Sequence, residues 1–366
     1  MRVPRVVILR GHHTNAAELR PWELLADRFD TTCLVTGSTE ADLADLRLPI
    51  ARVGARRDVL PRGRVFDLAV RIPGDGYRDL ERHLRGADIV HSAELGVWFS
   101  RQPALLKQRQ DFRLVLTVWE TIPLVDAYRT SRAGRYRSET IGAVDLFLAT
   151  TERARASLLL EGIAPDRVVV CHPGVEVERF ASTPRATDGY VLSPGRLVWE
   201  KGHQDVLRAV AAIRRGLVEG AEAPSVLIVG AGRDEARLRR HAADLGVADL
   251  VEFRRVPYAD MPSVYTGAAC VVLASLPVWH WEEQFGMVLA EALAAGVPII
   301  AATSGAIPEV LDGTGALVAP GDWLGIARAI AAPPEPAPRS FVERYSARAA
   351  AERIAAAYER VLTKPT

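Results

Sequence analysis

The chain has 366 residues, of which 49% are apolar and 25% charged, with a net charge of +1. That length exceeds one ordinary core and suits two domains. The near-neutral charge argues against a nucleic-acid partner. The three cysteines (Cys33, Cys171 and Cys270) are far apart, with no CxxC spacing for a metal or redox site, so free thiols in a reducing cytosol are expected. Only four apolar residues, Val6–Leu9, precede Arg10-Gly11, too few for a secretory leader, and no apolar run reaches eighteen residues. The expected location is cytoplasmic.

Short apolar runs alternate with helical patterns along the whole chain. Strands are predicted at Val6–Leu9, Thr32–Val35, Ile89–His91, Leu114–Val118, Leu146–Ala149 and Val168–Cys171, then at Tyr190–Ser193, Ser225–Val229, Val251–Phe253, Cys270–Ala274, Pro298–Ala301 and Gly315–Val318. Many are continuous rather than alternating, as strands covered on both faces should be. Helices are predicted at Ala16–Arg28, Tyr77–Leu84, Gln204–Arg215, Asp234–Leu245 and Gly286–Ala295. This alternation means parallel sheets, two of them, each of roughly six strands. The polar segment Ser182–Gly189 is the expected boundary, and the proline-rich stretch Ala332–Pro338 reads as a strap leading to a last helix, Ala347–Leu362.

Glu283 and Glu291 stand eight residues apart, the first in a Phe-Gly loop and the second in an apolar helical run. They can share a face if Glu283 stands just ahead of the helix. A carboxylate held one layer deep needs a partner, and hydroxyl-rich ligands supply several O–H donors at once. The loop Ser193–His203 carries Arg196 and Lys201 beyond a predicted strand, where open α/β sheets place ligands. Lys201 is one of only three lysines in an arginine-rich chain. A guanidinium fork and an ammonium converging there suit a diphosphate; alone, they are equally two solvated cations. Gly286 opens a helix whose first N–H groups, at Phe285, Gly286, Met287 and Val288, face an anion, with a plain helix cap as the alternative. Val229-Gly-Ala-Gly232 carries Gly230 but lacks a full G-x-G-x-x-G, so a dinucleotide site is weakly indicated.

Glu283-x7-Glu291, the Gly195-Arg-Leu…Glu200-Lys-Gly202 loop and His172-Pro-Gly-Val-Glu176…Phe180 resemble the retaining glycosyltransferases of family 4, which have the GT-B fold, and they occur in the family's order and spacing. The resemblance implies α/β architecture: two Rossmann-like, doubly wound parallel-sheet domains facing across a cleft. Residues 1–184 would form an acceptor-binding domain and 185–338 a nucleotide-sugar-binding domain, with 339–366 carrying a helix back to the first. It further implies a nucleoside-diphosphate sugar (UDP or GDP) as donor and a hydroxyl-bearing acceptor, with no cofactor and no metal. Arg196, Lys201 and Glu283 would be catalytic. The donor would be bound by Gly11, Gly195, Arg196, Lys201, Gly230, Val256, Glu283, Phe285, Gly286, Met287, Val288 and Glu291, with Glu291 on the ribose. Acceptor candidates are His12 and His13, on the first strand-to-helix loop, and Trp119 and Glu120, which stand where many family members have a sugar-contacting histidine. Trp279, His280 and Trp281 form either a sugar-site wall or a core aromatic cluster. Arginines crowd Arg52–Arg71 and Arg129–Arg137, where an anionic acceptor or an anionic membrane surface could dock, a solvated face being the plainer alternative. A nucleotide-sugar epimerase and a non-catalytic nucleotide-sugar-binding partner are the rival functions.

Overall fold

A computed structural model describes residues 2–12, 14, 16–39, 43–58, 75–181 and 189–363. His13, Arg62, Arg64 and Arg71 of the Arg52–Arg71 arginines and most of the polar segment 182–189 lie outside the described residues. The chain divides into two compact units, residues 1–174 with 347–366, and residues 175–346.

The first unit is built on seven parallel strands: β1 (Arg5–Gly11), β2 (Asp30–Thr36), β3 (Ile50–Val53), β4 (Ile89–Ala93), β5 (Arg113–Val118), β6 (Leu146–Ala149) and β7 (Val168–Val170), in the order β3-β2-β1-β4-β5-β6-β7. Successive side chains point to opposite faces of a strand. Val7 and Leu9 accordingly join one core with Val90, Leu114, Leu116, Phe147 and helix residues Trp98 and Tyr136. Val6 and Ile8 join another with Cys33, Val35, Val115 and Leu148. The first helix, Ala16–Glu23, and the last, Ala347–Thr363, cover that second face through Leu19, Trp22, Ile354 and Tyr358. A sheet buried on both faces explains the unbroken apolar runs. The strand β3 was not predicted: it is four residues long, sits at the sheet edge and carries Arg52, so neither its length nor its polarity marks a strand.

The second unit holds six parallel strands: β8 (Tyr190–Pro194), β9 (Val226–Val229), β10 (Val251–Arg254), β11 (Ala268–Leu273), β12 (Ile299–Ala302) and β13 (Ala316–Val318), ordered β10-β9-β8-β11-β12-β13. Because β8 pairs with both β9 and β11, the strand order reverses beside it. That reversal is where doubly wound sheets open a crevice.

The units divide at Gly174/Val175 and Ser346/Ala347, not at the polar segment or the proline strap. Packing decides this. Phe180 is buried edge-on against Tyr265, with ring centroids 5.6 Å apart, and so ties the helix Val177–Ala181 to the second unit. Tyr345, buried beside Phe285, donates to the Val310 carbonyl at 2.9 Å and keeps the chain beyond the strap in that unit too. Val175 N–H donates to the Tyr345 carbonyl at 2.8 Å, so the two crossing segments run side by side.

Candidate active site

In the second unit, three loops at the carboxyl ends of β8, β9 and β11 are joined through their backbones. Gly195 N–H donates to Val229 and Gly230 N–H to Arg254, both at 2.9 Å, while Leu276 N–H donates to the Glu200 carbonyl at 2.8 Å. Two glycines allow the approach. A Cβ on Gly230 (φ +154°) would stand 1.9 Å from the Gly195 carbonyl oxygen, and one on Gly202 (φ +75°) 1.8 Å from that of Ala274. No side chain fits there. The Gly-Ala-Gly turn thus serves close loop packing.

Lys201 and Glu283 meet in this junction. The Lys201 ammonium lies 2.7 Å from Glu283 Oε2 and 3.0 Å from Oε1, and Ser275 Oγ donates to Oε2 at 2.7 Å. Both partners are largely buried, with side-chain exposures of 13% and 7%. The ammonium also stands 5.0 Å from the centroid of the Trp281 ring, so part of the aromatic lead-in is a wall for the cation. Trp279, by contrast, is 74% exposed and rests on His280. Arg196 stays exposed on the β8 loop, whose shape is held from beneath by His203. The imidazole Nε2 donates to the Arg196 carbonyl at 3.1 Å and Nδ1 accepts from Ser193 Oγ at 2.8 Å. Burial lowers this imidazole to about 4, so it is neutral and its tautomer is fixed.

Gly286 (φ +80°) caps the helix Met287–Ala294 with no side-chain cap, three residues beyond Glu283, leaving the first N–H groups of the helix without intrahelical partners. The Phe285 side chain is core, 1% exposed, so only its backbone is available to a ligand. Glu291 lies one layer deeper and has partners of its own. Its Oε2 accepts from Tyr265 Oη at 2.6 Å, and Tyr258 also donates to it. Burial raises its carboxyl to about 7 against the pull of those hydroxyls and of Arg179. The two carboxylates therefore have separate surroundings. Val256 lies half-buried in the loop beyond β10. Sequence reasoning missed Ser275 and Tyr265; a lone serine just past β11 was the available signal for the first.

The first unit gathers other groups at its strand ends. Gly11 (φ +60°) packs so tightly on Phe99 that a Cβ would come within 2.5 Å of that ring, and its N–H donates to Tyr77 Oη at 2.8 Å. That glycine serves packing on the described side. His12 is stacked on Trp98, with ring centroids 6.5 Å apart. Glu120 accepts from the N–H groups of Thr121 and Ile122 at 3.0 and 3.1 Å and pairs with Arg129 at 2.9 Å. Burial raises its carboxyl, with those partners opposing. Trp119 N–H donates to Glu94 Oε1 at 2.8 Å. Glu94 was not singled out from sequence, yet it adopts φ +64° and burial raises its carboxyl to about 8. The Arg129–Arg137 run is only partly a free cationic face. Arg129 is bound to Glu120 and Asp126, and Arg137 to Glu161.

Two doubly wound parallel-sheet units, with polar loops gathered at the strand reversal of the second, define a GT-B architecture. Comparison with known proteins agrees. HepE from Anabaena, solved with UDP and glucose, superposes with a TM-score of 0.73 over 98% of this chain and 100% of that one, at 15% identity. The UDP-GlcNAc 2-epimerase of Methanocaldococcus jannaschii shares the fold at a TM-score of 0.61 and 16% identity, covering 98% of this chain and 99% of that one. The family profile "Glycosyl transferases group 1" matches residues 175–332, and "Glycosyltransferase Family 4" matches residues 22–179. The chain belongs to this family of glycosyltransferases. Among curated relatives, a D-inositol 3-phosphate glycosyltransferase of Streptomyces scabiei is 34% identical over 233 residues, covering 57% of this chain and 50% of the relative. A GDP-mannose-dependent alpha-(1-6)-phosphatidylinositol monomannoside mannosyltransferase of Mycolicibacterium smegmatis is 38% identical over 166 residues, covering 40% and 41%. The chain spans about half the length of the curated relatives it matches. Among the described residues no helix is long and apolar enough to cross a membrane, and no group of three or more His, Cys, Asp or Glu is placed to hold a metal ion.

Proposed function

We propose that the chain is a retaining glycosyltransferase that moves a sugar from a UDP- or GDP-sugar to an acceptor hydroxyl without a metal or cofactor. The observation that carries this reading is the buried Lys201–Glu283–Ser275 cluster beside the strand reversal of the second unit. The ammonium and the serine hydroxyl fix the carboxylate, so Glu283 is preorganised to accept from donor-sugar hydroxyls. Lys201, the exposed Arg196 and the helix N-terminus at Gly286 supply positive potential where the leaving diphosphate gains charge. Gly195 and Gly286 keep that region free of side chains, and Gly230 lets the β8 and β9 loops close together beneath it. Glu291 offers its remaining acceptor capacity to the ribose, and backbone near Val256 reads the base. Glu120 and Trp119 in the first unit are proposed for the acceptor, in the place where a family histidine is absent. Without a dedicated base, the departing phosphate takes the acceptor proton on the same face of the sugar. Neither attachment to an anionic membrane through the arginines of the first unit nor a cytoplasmic location is needed for this chemistry; both stand as parts of the proposal.

The test is turnover of UDP- and GDP-hexoses with a panel of polyol and sugar acceptors in EDTA, with the anomeric proton coupling of the product measured by NMR. Transfer that keeps the donor's anomeric configuration is expected. Interconversion of the donor sugar without acceptor would instead indicate an epimerase.

A further inference from the structure

In the first unit a cavity of about 40 Å³ opens at the carboxyl ends of β1, β5 and β6, lined among others by Arg10, Glu18, Trp22, Thr117, Thr150 and His172. It holds the space of about three water molecules, which suits one oxyanion group. Arg10 is 5% exposed. Its guanidinium lies 5.3 Å from the Trp22 ring centroid, and its Nη1 donates to the Leu9 carbonyl at 3.2 Å. Its buried Nε has no hydrogen-bond partner; the buried Glu18 carboxyl on the same cavity, raised by burial and lowered by the Arg10 charge, is its acidic neighbour. Thr150 Oγ1, on a residue 1% exposed, is also without a partner, although the Thr150 carbonyl accepts from His172 Nδ1 at 2.9 Å. The Thr117 hydroxyl is already engaged with His91 at 2.7 Å.

A buried guanidinium with an N–H left unpartnered is costly, and so is a buried hydroxyl without a partner. Both lie against one cavity, at the strand ends where open α/β sheets bind ligands. A planar fork of N–H donors matches the oxygens of a phosphate or carboxylate.

We propose that Arg10 and Thr150 hold the anionic oxygen group of the acceptor, a phosphate or a carboxylate, while Glu18 accepts a neighbouring acceptor hydroxyl. The term acceptor rests on the transferase reading; the oxyanion site does not.

Inorganic phosphate and acetate, titrated at fixed ionic strength into the full chain and followed by thermal unfolding and tryptophan fluorescence, test this. At least one of the two should raise the melting temperature saturably, and which one does names the anion. Arg10→Met should weaken that response by about tenfold or more. Thr150→Val should weaken the response less. The anion should still bind in saturating UDP or GDP. The proposal is overturned if neither ion binds, or if Arg10→Met and Arg10→Gln both respond to the anion like the wild type. Displacement of the anion by nucleotide would assign the oxyanion to the donor and overturn the acceptor role. Failure of the transferase reading would appear separately, as absence of nucleotide binding with the phosphate arm intact.

Discussion

Two clusters at the strand ends of the two units, one around Glu283 and one around Arg10, differ in how far their polar atoms are satisfied. In the second unit, Lys201, Glu283 and Ser275 satisfy one another within 3.0 Å, and Glu291 is met by tyrosine hydroxyls. In the first unit, Arg10 and Thr150 keep polar atoms unpartnered beside a cavity. A self-satisfied cluster is rigid before a ligand arrives, which is what electrostatic preorganisation requires. An unsatisfied one is completed by its ligand and gains most from a bound anion. The contrast is what the proposed donor site in the second unit and the proposed acceptor site in the first would require.

The sharpest way to break this comparison is to unpair the second unit. Lys201→Ala leaves Glu283 buried without its cation, so chemical denaturation should show a loss of about 3–5 kcal/mol. Turnover should fall by about 10²- to 10³-fold. The double variant Lys201→Met/Glu283→Leu should regain most of the stability but none of the turnover. Recovery of both would make the pair merely structural.

A pH series sharpens the comparison, since burial raises a carboxyl well above 4.5 in each unit: Glu291 to about 7 and Glu94 to about 8. The folded chain therefore binds protons that the unfolded chain has released. Stability should fall as pH rises from about 4.5 through 7 for Glu291, by about 3 kcal/mol, and through 8 for Glu94, by about 5 kcal/mol. Glu291→Gln and Glu94→Gln should each flatten their part of the unfolding profile. Unchanged slopes in both variants would contradict the assigned burial.

The smallest effect is a control on the first unit alone. Tyr358 Oη bridges Trp22 Nε1 at 2.8 Å and His91 Nδ1 at 2.6 Å beneath the last helix. Tyr358→Phe should cost about 1–3 kcal/mol, because it leaves buried partners unsatisfied. Nucleotide affinity, measured calorimetrically, should not change.

Legibility from sequence followed the same divide. Glu283, Glu291, Arg196 and Lys201 could be read because they stand in ordered motifs beside strand ends. Tyr265 and Ser275 could not, since only the packing of β11 and its flanking helices brings them to the two glutamates. Arg10 read as the polar end of an apolar strand, and its burial is a tertiary property. The arginine run near Arg129 looked unpaired because Glu120 and Glu161 arrive from other segments. The two parallel sheets were visible in the apolar runs, and their doubly wound form in the family resemblance, whereas β3 was too short and too polar to be seen.

The most direct measurement is a calorimetric titration of UDP and GDP, in EDTA, into the wild type and Lys201→Ala. Binding of one diphosphate to the wild type, insensitive to EDTA and weakened about tenfold or more in the variant, is the predicted result. No binding of either nucleotide, or equal affinity in both proteins, would contradict the assignment of the second unit as the donor site.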